Sequence, residues 1–154
     1  MTGLRVLVVD ADPLARRALS EQLAAQPGVE VATAANADAG IAVVEQLDVD
    51  VVIMDARPDD DDSLRAIGRF HAAAAGVAVL ILSTADDPEL GLRALRENAS
   101  GFLCKDVPLE ALGRIVHSLA RGEVVITRRM TARVVEQLRE PRGSPSTRAM
   151  PAAP

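Results

Sequence analysis

The chain has 154 residues and contains no tryptophan or tyrosine; its only aromatic side chains are Phe70 and Phe102. We therefore expect no surface on which the bases of single-stranded nucleic acid could stack, because such surfaces are built from aromatic rings. The interior must consist of Val, Leu, Ile and Ala. Since 49% of the residues are hydrophobic, there are enough aliphatic side chains for a sizeable core.

Cysteine is equally scarce. Cys104 is the only one, so an intrachain disulfide is impossible, and no Cys/His pattern with zinc spacing occurs. The N-terminus runs directly into a strand, unlike a signal peptide. The longest apolar stretch, residues 72–82, is too short to span a bilayer. These features predict a soluble cytoplasmic protein that does not bind membranes.

Charge is unevenly distributed. Residues 1–120 carry 10 basic and 19 acidic side chains, a net charge of −9, whereas residues 121–154 carry 7 and 3, a net charge of +4. An acidic body is a poor candidate for direct nucleic-acid binding. Residues 141–154 are rich in Pro, Ser and Ala without periodicity, which predicts a disordered linker or tail.

Short apolar runs alternate with helical patterns over residues 1–122. Such alternation predicts an α/β fold with a doubly wound, five-stranded parallel sheet in the order 2-1-3-4-5. A short strand and helix extension is predicted at residues 123–140. The predicted strands are residues 4–9, 29–35, 50–54, 77–82 and 101–104. The predicted helices begin at Pro13, at the residue after the Asn36 cap, at Ser63, at Pro88, at Pro108 and at Met130.

Four of the apolar runs are each followed by, or end on, one polar residue: Asp10, Asp55, Ser83 and Lys105. Because ligands of open α/β sheets bind beyond the carboxyl ends of the strands, we expect these four side chains at one edge. Asp10 and Asp55 end strands one and three, where the strand order reverses. Two carboxylates, a hydroxyl and an ammonium suit a divalent metal with a phosphoryl group. Lys105 is also the only lysine beside sixteen arginines.

The segments VLVVDADPLARRAL, DVVIMD, VLILST and ASGFLCKD, in this order and spacing, resemble the receiver domain of bacterial two-component response regulators. The resemblance covers residues 4–122 and implies the flavodoxin-like receiver fold, with residues 1–122 as the receiver domain. ASGFLCKD and the following GEVVITRRMTARVVEQL are most similar to the subfamily with a LuxR/NarL-type helix-turn-helix output domain. This resemblance implies a phosphoprotein that regulates transcription, rather than a metabolic enzyme.

The resemblance also implies roles for residues of the acidic edge. Asp55 matches the phosphoacceptor, whose carboxylate attacks the phosphoryl donor. Asp10, Asp55 and the main-chain carbonyl of Arg57 match the positions that hold magnesium. Ala11 departs from the pattern, because it stands where the family has a second acidic magnesium ligand. One of the acids of the loop at residues 59–62 could replace that ligand, or the loop could simply be solvated.

Ser83 and Lys105 match the residues that contact the phosphoryl oxygens. Ser83 and Phe102 match the two side chains whose rearrangement accompanies activation. The implied partners are a sensor histidine kinase and a second copy of the chain. DNA would be contacted only through an output domain that is not in this chain.

Two other interpretations are open. Because of Ala11, the chain could be an atypical receiver that acts without phosphorylation, through dimerisation, ligand binding or protein contact. Alternatively, the Asp10-Ala11-Asp12 motif at the end of the first strand resembles phosphatases of the haloacid-dehalogenase superfamily. Pro13, the absence of a later acidic pair after Lys105 and the short chain disfavour the phosphatase.

Overall fold

The computed structural model describes residues 3–141, and most of the tail predicted at residues 141–154 lies outside them. Strands and helices alternate along these residues. The strands are β1 (Leu4–Val9), β2 (Val29–Ala34), β3 (Val51–Asp55), β4 (Ala78–Ser83), β5 (Gly101–Cys104) and β6 (Val125–Ile126). The helices are α1 (Pro13–Ala24), α2 (Ala37–Gln46), α3 (Asp61–Ala73), α4 (Pro88–Arg96), α5 (Leu112–Ala120) and α6 (Arg128–Arg139).

The strands form one parallel sheet in the order β2-β1-β3-β4-β5-β6. The predicted parallel α/β architecture and the reversal of strand order between β1 and β3 are confirmed. The prediction of five strands was wrong, because β6 adds a sixth at the edge beside β5. This strand has only two residues, which pair with Gly101 and Phe102 and are partly buried. Two residues are too few to form a long apolar run or an alternating pattern in the sequence.

Side chains cap most of the helices at their first turn. Asp12, Asn36 and Asp87 each accept hydrogen bonds from backbone N–H groups of the helix that follows, as the sequence predicts. Helix α3 begins two residues before the predicted Ser63, because the carboxylate of Asp60 caps it. The helix predicted from Pro108 starts as a short 3-10 turn at Leu109–Ala111 and becomes α5 at Leu112.

The aliphatic core lies on both faces of the sheet. On one face, side chains of α1 and α5 such as Leu23 and Leu112 pack against β1, β3 and β4. On the other face, α2, α3 and α4 surround Phe70 and Phe102, both completely buried. Burying each such side chain contributes about 1.5–3 kcal/mol to the free energy of unfolding. Over residues 3–141, every helix is too short or too polar to cross a membrane.

Candidate functional site at the acidic edge

The sheet register brings the ends of β1, β3, β4 and β5 to one edge. Val9 pairs with Met54, so Asp10 and Asp55 are the next residues on adjacent strands. Ser83 ends β4, and its carbonyl accepts a hydrogen bond of 2.8 Å from the backbone N–H of Lys105. The four residues predicted from the sequence therefore lie together at the carboxyl edge of the sheet.

The Lys105 ammonium connects two of the strand ends. Its Nζ lies 3.0 Å from Asp10 Oδ2 and 2.9 Å from Asp55 Oδ1. Asp10 is almost completely buried, whereas the side chains of Asp55 and Lys105 remain 23% and 24% exposed, so solvent reaches the contact. Burial lowers the pKa of Lys105, but the ion pairs with Asp55 and Asp10 outweigh it and raise the pKa overall. The ammonium stays charged and neutralises one of the two carboxylates.

Asp10 is fixed by further contacts. Its Oδ1 accepts a hydrogen bond of 2.9 Å from the backbone N–H of Asp12, and its carbonyl accepts one of 2.8 Å from the Arg16 guanidinium. The carboxylate of Asp12 caps α1 through the N–H of Leu14. Sequence reasoning missed Arg16, because nothing in its spacing distinguishes it from Arg17, the neighbouring arginine on α1.

A hollow of about 490 Å³ opens beside this site, between the first turns of α2 and α3. Asp10, Ala11 and Asp55 line its floor, while Ser83 and Lys105 are not among its lining residues. The side chains of α2 and α3 that border it are Ala37, Asp38, Asp62, Ser63, Arg65 and Arg69. The hollow places Asp55 beside space that can admit a phosphoryl group.

The loop that follows Asp55 folds back on itself. The backbone N–H of Asp60 donates to the Arg57 carbonyl at 3.0 Å, and the Asp60 carboxylate accepts bonds from the Ser63 hydroxyl at 2.6 Å and the Ser63 N–H at 3.2 Å. The Ser63 hydroxyl bond is the main reason that the pKa of Asp60 lies below its ordinary value. Asp60 therefore serves as a helix cap in the structure.

Two other acids of the loop are engaged in ion pairs. Asp62 pairs with Arg65 of the same helix at 2.6 Å, and Asp61 pairs with Arg93 of α4. The Arg93 guanidinium also donates to the Pro58 carbonyl at 3.4 Å, so it holds the loop from a neighbouring helix. The carboxylates of Asp60, Asp61 and Asp62 are thus engaged by these partners. They are not directed to the magnesium-ligand position at which Ala11 stands.

The donor set of the site is compatible with magnesium, with one carboxylate fewer than the family pattern. Magnesium prefers oxygen ligands and is usually held by one or two protein carboxylates, with waters and substrate phosphate completing the shell. Asp10 and Asp55 supply two carboxylates, and the Arg57 carbonyl keeps a second lone pair. Within residues 3–141, no three His, Cys, Asp or Glu side chains are grouped so as to hold a metal by themselves.

The two predicted switch residues are both fully buried. The Ser83 hydroxyl accepts a hydrogen bond of 3.2 Å from the backbone N–H of Ala85, two residues along the loop to α4. Phe102 packs in the apolar cluster on the α2–α4 face, together with Met130 of α6. Any role of Phe102 in activation remains a prediction.

Comparison with known proteins identifies the family. The model of the response regulator receiver domain matches residues 6–117, and the chain belongs to this family. The nitrate/nitrite response regulator NarL of Escherichia coli (strain K12) is 26% identical over 140 residues, which cover 90% of this chain and 65% of NarL. The receiver domain of the response regulator NarL from Mycobacterium tuberculosis has 27% identity and a TM-score of 0.71, covering 80% of this chain and all of that domain.

These relatives make the chain a receiver domain of the NarL/LuxR type in a two-component system. Receiver domains of this family generally bind Mg²⁺ at the phosphorylation site, are phosphorylated by sensor histidine kinases and often dimerise. A protein-glutamate methylesterase/protein-glutamine glutaminase of Anaeromyxobacter dehalogenans (strain 2CP-C) is 37% identical over 122 residues, but these cover only 36% of that protein. The chain spans 65% of the length of NarL.

Proposed function

We propose that Asp55 accepts a phosphoryl group from a sensor histidine kinase in the cytoplasm. The modified receiver would then control transcription through an output domain outside this chain, as a homodimer formed through helix faces away from the acidic edge. The contact of Lys105 with both Asp10 and Asp55 is the observation that carries this proposal. It unites the predicted phosphoacceptor, a metal-ligand position and the phosphoryl-contacting cation.

The Asp55 carboxylate is suited to nucleophilic attack. It is partly exposed, and it borders a hollow with room for the donor. In the transfer, a bond forms between an Asp55 oxygen and phosphorus as the bond from phosphorus to the kinase histidine nitrogen breaks, and that nitrogen keeps the electron pair. The Lys105 ammonium already contacts the Asp55 carboxylate. It can therefore pair with the phosphoryl oxygens once the negative charge lies on them.

When bound, Mg²⁺ would offset the negative charge of donor and acceptor. Asp10, Asp55 and the Arg57 carbonyl would hold it. Because Ala11 supplies no oxygen, we expect weaker magnesium binding than a site with two adjacent acids would have. Ser83 would donate its hydroxyl proton to a phosphoryl oxygen, and the side-chain rotation that brings it there would take its oxygen away from the Ala85 N–H.

The test uses a small phosphoryl donor, phosphoramidate, across a magnesium series, with intact-protein mass spectrometry as the readout. The wild-type chain and Asp48→Asn are expected to gain the mass of one phosphoryl group, and Asp55→Asn is not. Asp48 is a matched control, because it is an exposed carboxylate in the loop that precedes β3, at the opposite end of the sheet from the site. Absence of the mass gain at every magnesium concentration would remove the phosphoacceptor role.

A second candidate is a receiver that acts without phosphorylation. It is favoured by Ala11, which leaves the site one carboxylate short of the family's magnesium-binding pattern. In that case the oligomeric state of the chain would be the same for the wild type and Asp55→Asn, with or without the donor. Steady turnover of a phosphate ester such as p-nitrophenyl phosphate would instead support the phosphatase interpretation.

A further inference from the structure

Helix α6 is docked on α4 through one tightly packed contact. Met130 of α6 is completely buried and belongs to the apolar cluster on this face of the sheet. It lies directly over Gly91 of α4, where an added Cβ would come within 2.2 Å of the Met130 sulfur. Glycine at position 91 therefore makes the close approach of the two helices possible.

Polar contacts surround this apolar contact. Arg133 pairs with Glu89 of α4 at 2.6 Å, and Arg96 of α4 donates to the Gln137 side chain at 3.0 Å. Helix α6 has only 12 residues, and isolated helices of this length are marginal in water. Its order therefore depends on its contacts with α4, so weakening these contacts would release the helix.

One contact of α6 reaches the loop that carries Ser83. The Arg129 guanidinium donates to the carbonyl of Asp86 at 3.1 Å. Asp86 is in the short connection between Ser83 and Asp87, the cap of α4. The same connection is held at its other end by the bond from the Ala85 N–H to the Ser83 hydroxyl. The loop thus has one attachment to the acidic edge and another to α6.

We propose that α6 is a releasable helix that responds to the state of Asp55 through this loop. When Ser83 turns its hydroxyl toward a phosphoryl group, Ala85 loses its acceptor and the loop shifts. The shift takes the Asp86 carbonyl away from Arg129 and weakens the docking of α6. The inference rests on the proposed function, because the phosphoryl group on Asp55 supplies the signal.

Thermodynamic linkage makes the effect reciprocal. A change that loosens α6 must favour the phosphorylated state as much as phosphorylation loosens α6. Met130→Ala removes the side chain that packs on Gly91. The Cβ added by Gly91→Ala would collide with that side chain and displace it. Each substitution is expected to tighten the reversible binding of beryllofluoride, a phosphoryl mimic, to Asp55, whereas Leu138→Ala, at an exposed position of the same helix, is not.

The direct test is hydrogen exchange of peptides from residues 128–139, measured by mass spectrometry. Phosphorylation of Asp55, checked by intact mass in the same sample, is expected to speed exchange of α6 by about fivefold or more. Arg129→Ala should speed it in the unmodified protein, while Arg128→Ala, the same charge change on the exposed neighbouring residue, should not. A phosphorylated sample whose α6 exchanges at the original rate would overturn the proposal.

A further variant separates this inference from the proposed function. Ser83→Ala removes the acceptor of the Ala85 N–H without any phosphoryl chemistry. If Asp55 takes no phosphoryl group, the proposed function fails, and faster α6 exchange in Ser83→Ala would still establish the coupling. Unchanged α6 exchange in both Ser83→Ala and Arg129→Ala would show that α6 is independent of the loop.

Discussion

Lys105 Nζ lies 2.9 Å from Asp55 Oδ1, an ion pair that reaches from the end of β5 to the end of β3 across the intervening strand β4. The same ammonium contacts Asp10 at the end of β1. A single cation therefore offsets repulsion between two carboxylates that belong to neighbouring strands. We therefore expect both the stability of the fold and the proposed phosphoryl transfer to depend on this one side chain.

Replacing Lys105 by Met should destabilise the protein at neutral pH by about 1–3 kcal/mol, because a buried carboxylate loses its charged partner. The difference between wild type and variant should depend on pH. The pKa of Lys105 is raised above its ordinary value of 10.5, so its contribution is complete below that pH and is lost as the pH rises through the folded-state pKa.

Urea unfolding of both proteins at a series of alkaline pH values measures this difference. Cys104, whose pKa is raised by burial, titrates in both proteins and cancels in the comparison. A stability difference that stays constant at pH values well above 10.5 would contradict the assignment of this contribution to the Lys105 ion pairs.

Replacing Ala11 by Asp should restore a third carboxylate at the site. We expect the magnesium concentration for half-maximal phosphorylation to fall by about tenfold, which corresponds to about 1.4 kcal/mol of binding free energy. Ala11→Asn is the control, because it has nearly the same size without the charge. Equal magnesium requirements in the wild type and Ala11→Asp would mean that position 11 does not reach the metal.

Replacing Asp60 by Ala should lower the free energy of unfolding by about 1 kcal/mol, because α3 loses its N-terminal cap. The pKa of Asp60 is lowered, chiefly by the Ser63 hydroxyl, so the contribution of its charge is present above the ordinary value of 3.8 and is lost as the pH falls through the folded-state pKa. Asp60→Asn keeps an acceptor that does not titrate. Denaturant titrations from neutral to acid pH should therefore show a pH-dependent stability difference between wild type and Asp60→Asn.

Two glycine substitutions should have opposite effects. Gly101→Ala would place a Cβ 2.7 Å from the Val125 carbonyl and should destabilise by about 1–3 kcal/mol or more, because backbone must move. Gly68→Ala, in the exposed interior of α3 with open space around it, should stabilise by about 0.5–1 kcal/mol. Chemical denaturation of both variants checks the pair, and a neutral Gly101→Ala would speak against the close approach of β6.

Most of the fold follows from local patterns. Apolar runs of four to six residues with helical segments between them require a parallel sheet, and Asp12, Asn36 and Asp87 mark helix starts through short-range hydrogen bonds. Once the strand order is known, Asp10 and Asp55 must be adjacent, since each ends a neighbouring strand. The sequence could thus predict where these residues lie, while their chemical roles stay predictions.

The features that the sequence could not predict are contacts between distant residues. Arg93 holds the loop after Asp55 from α4, and Arg16 holds the Asp10 carbonyl from α1. Neither arginine differs in local pattern from the other arginines of the chain. The packing of Met130 over Gly91 could not be predicted either. The two residues lie on α6 and α4, and no pattern in the sequence relates a position on one helix to a position on the other.

The single lysine has a practical consequence for handling the protein. Amine-directed dyes, biotin esters and coupled sensor chips can attach only at Lys105 or at the N-terminal amine. Acylation at Lys105 would convert its cation to a neutral amide between two carboxylates. Binding or phosphotransfer experiments with this chain therefore call for immobilisation through a terminal tag, since random amine coupling would neutralise Lys105 in the molecules that it attaches through this side chain.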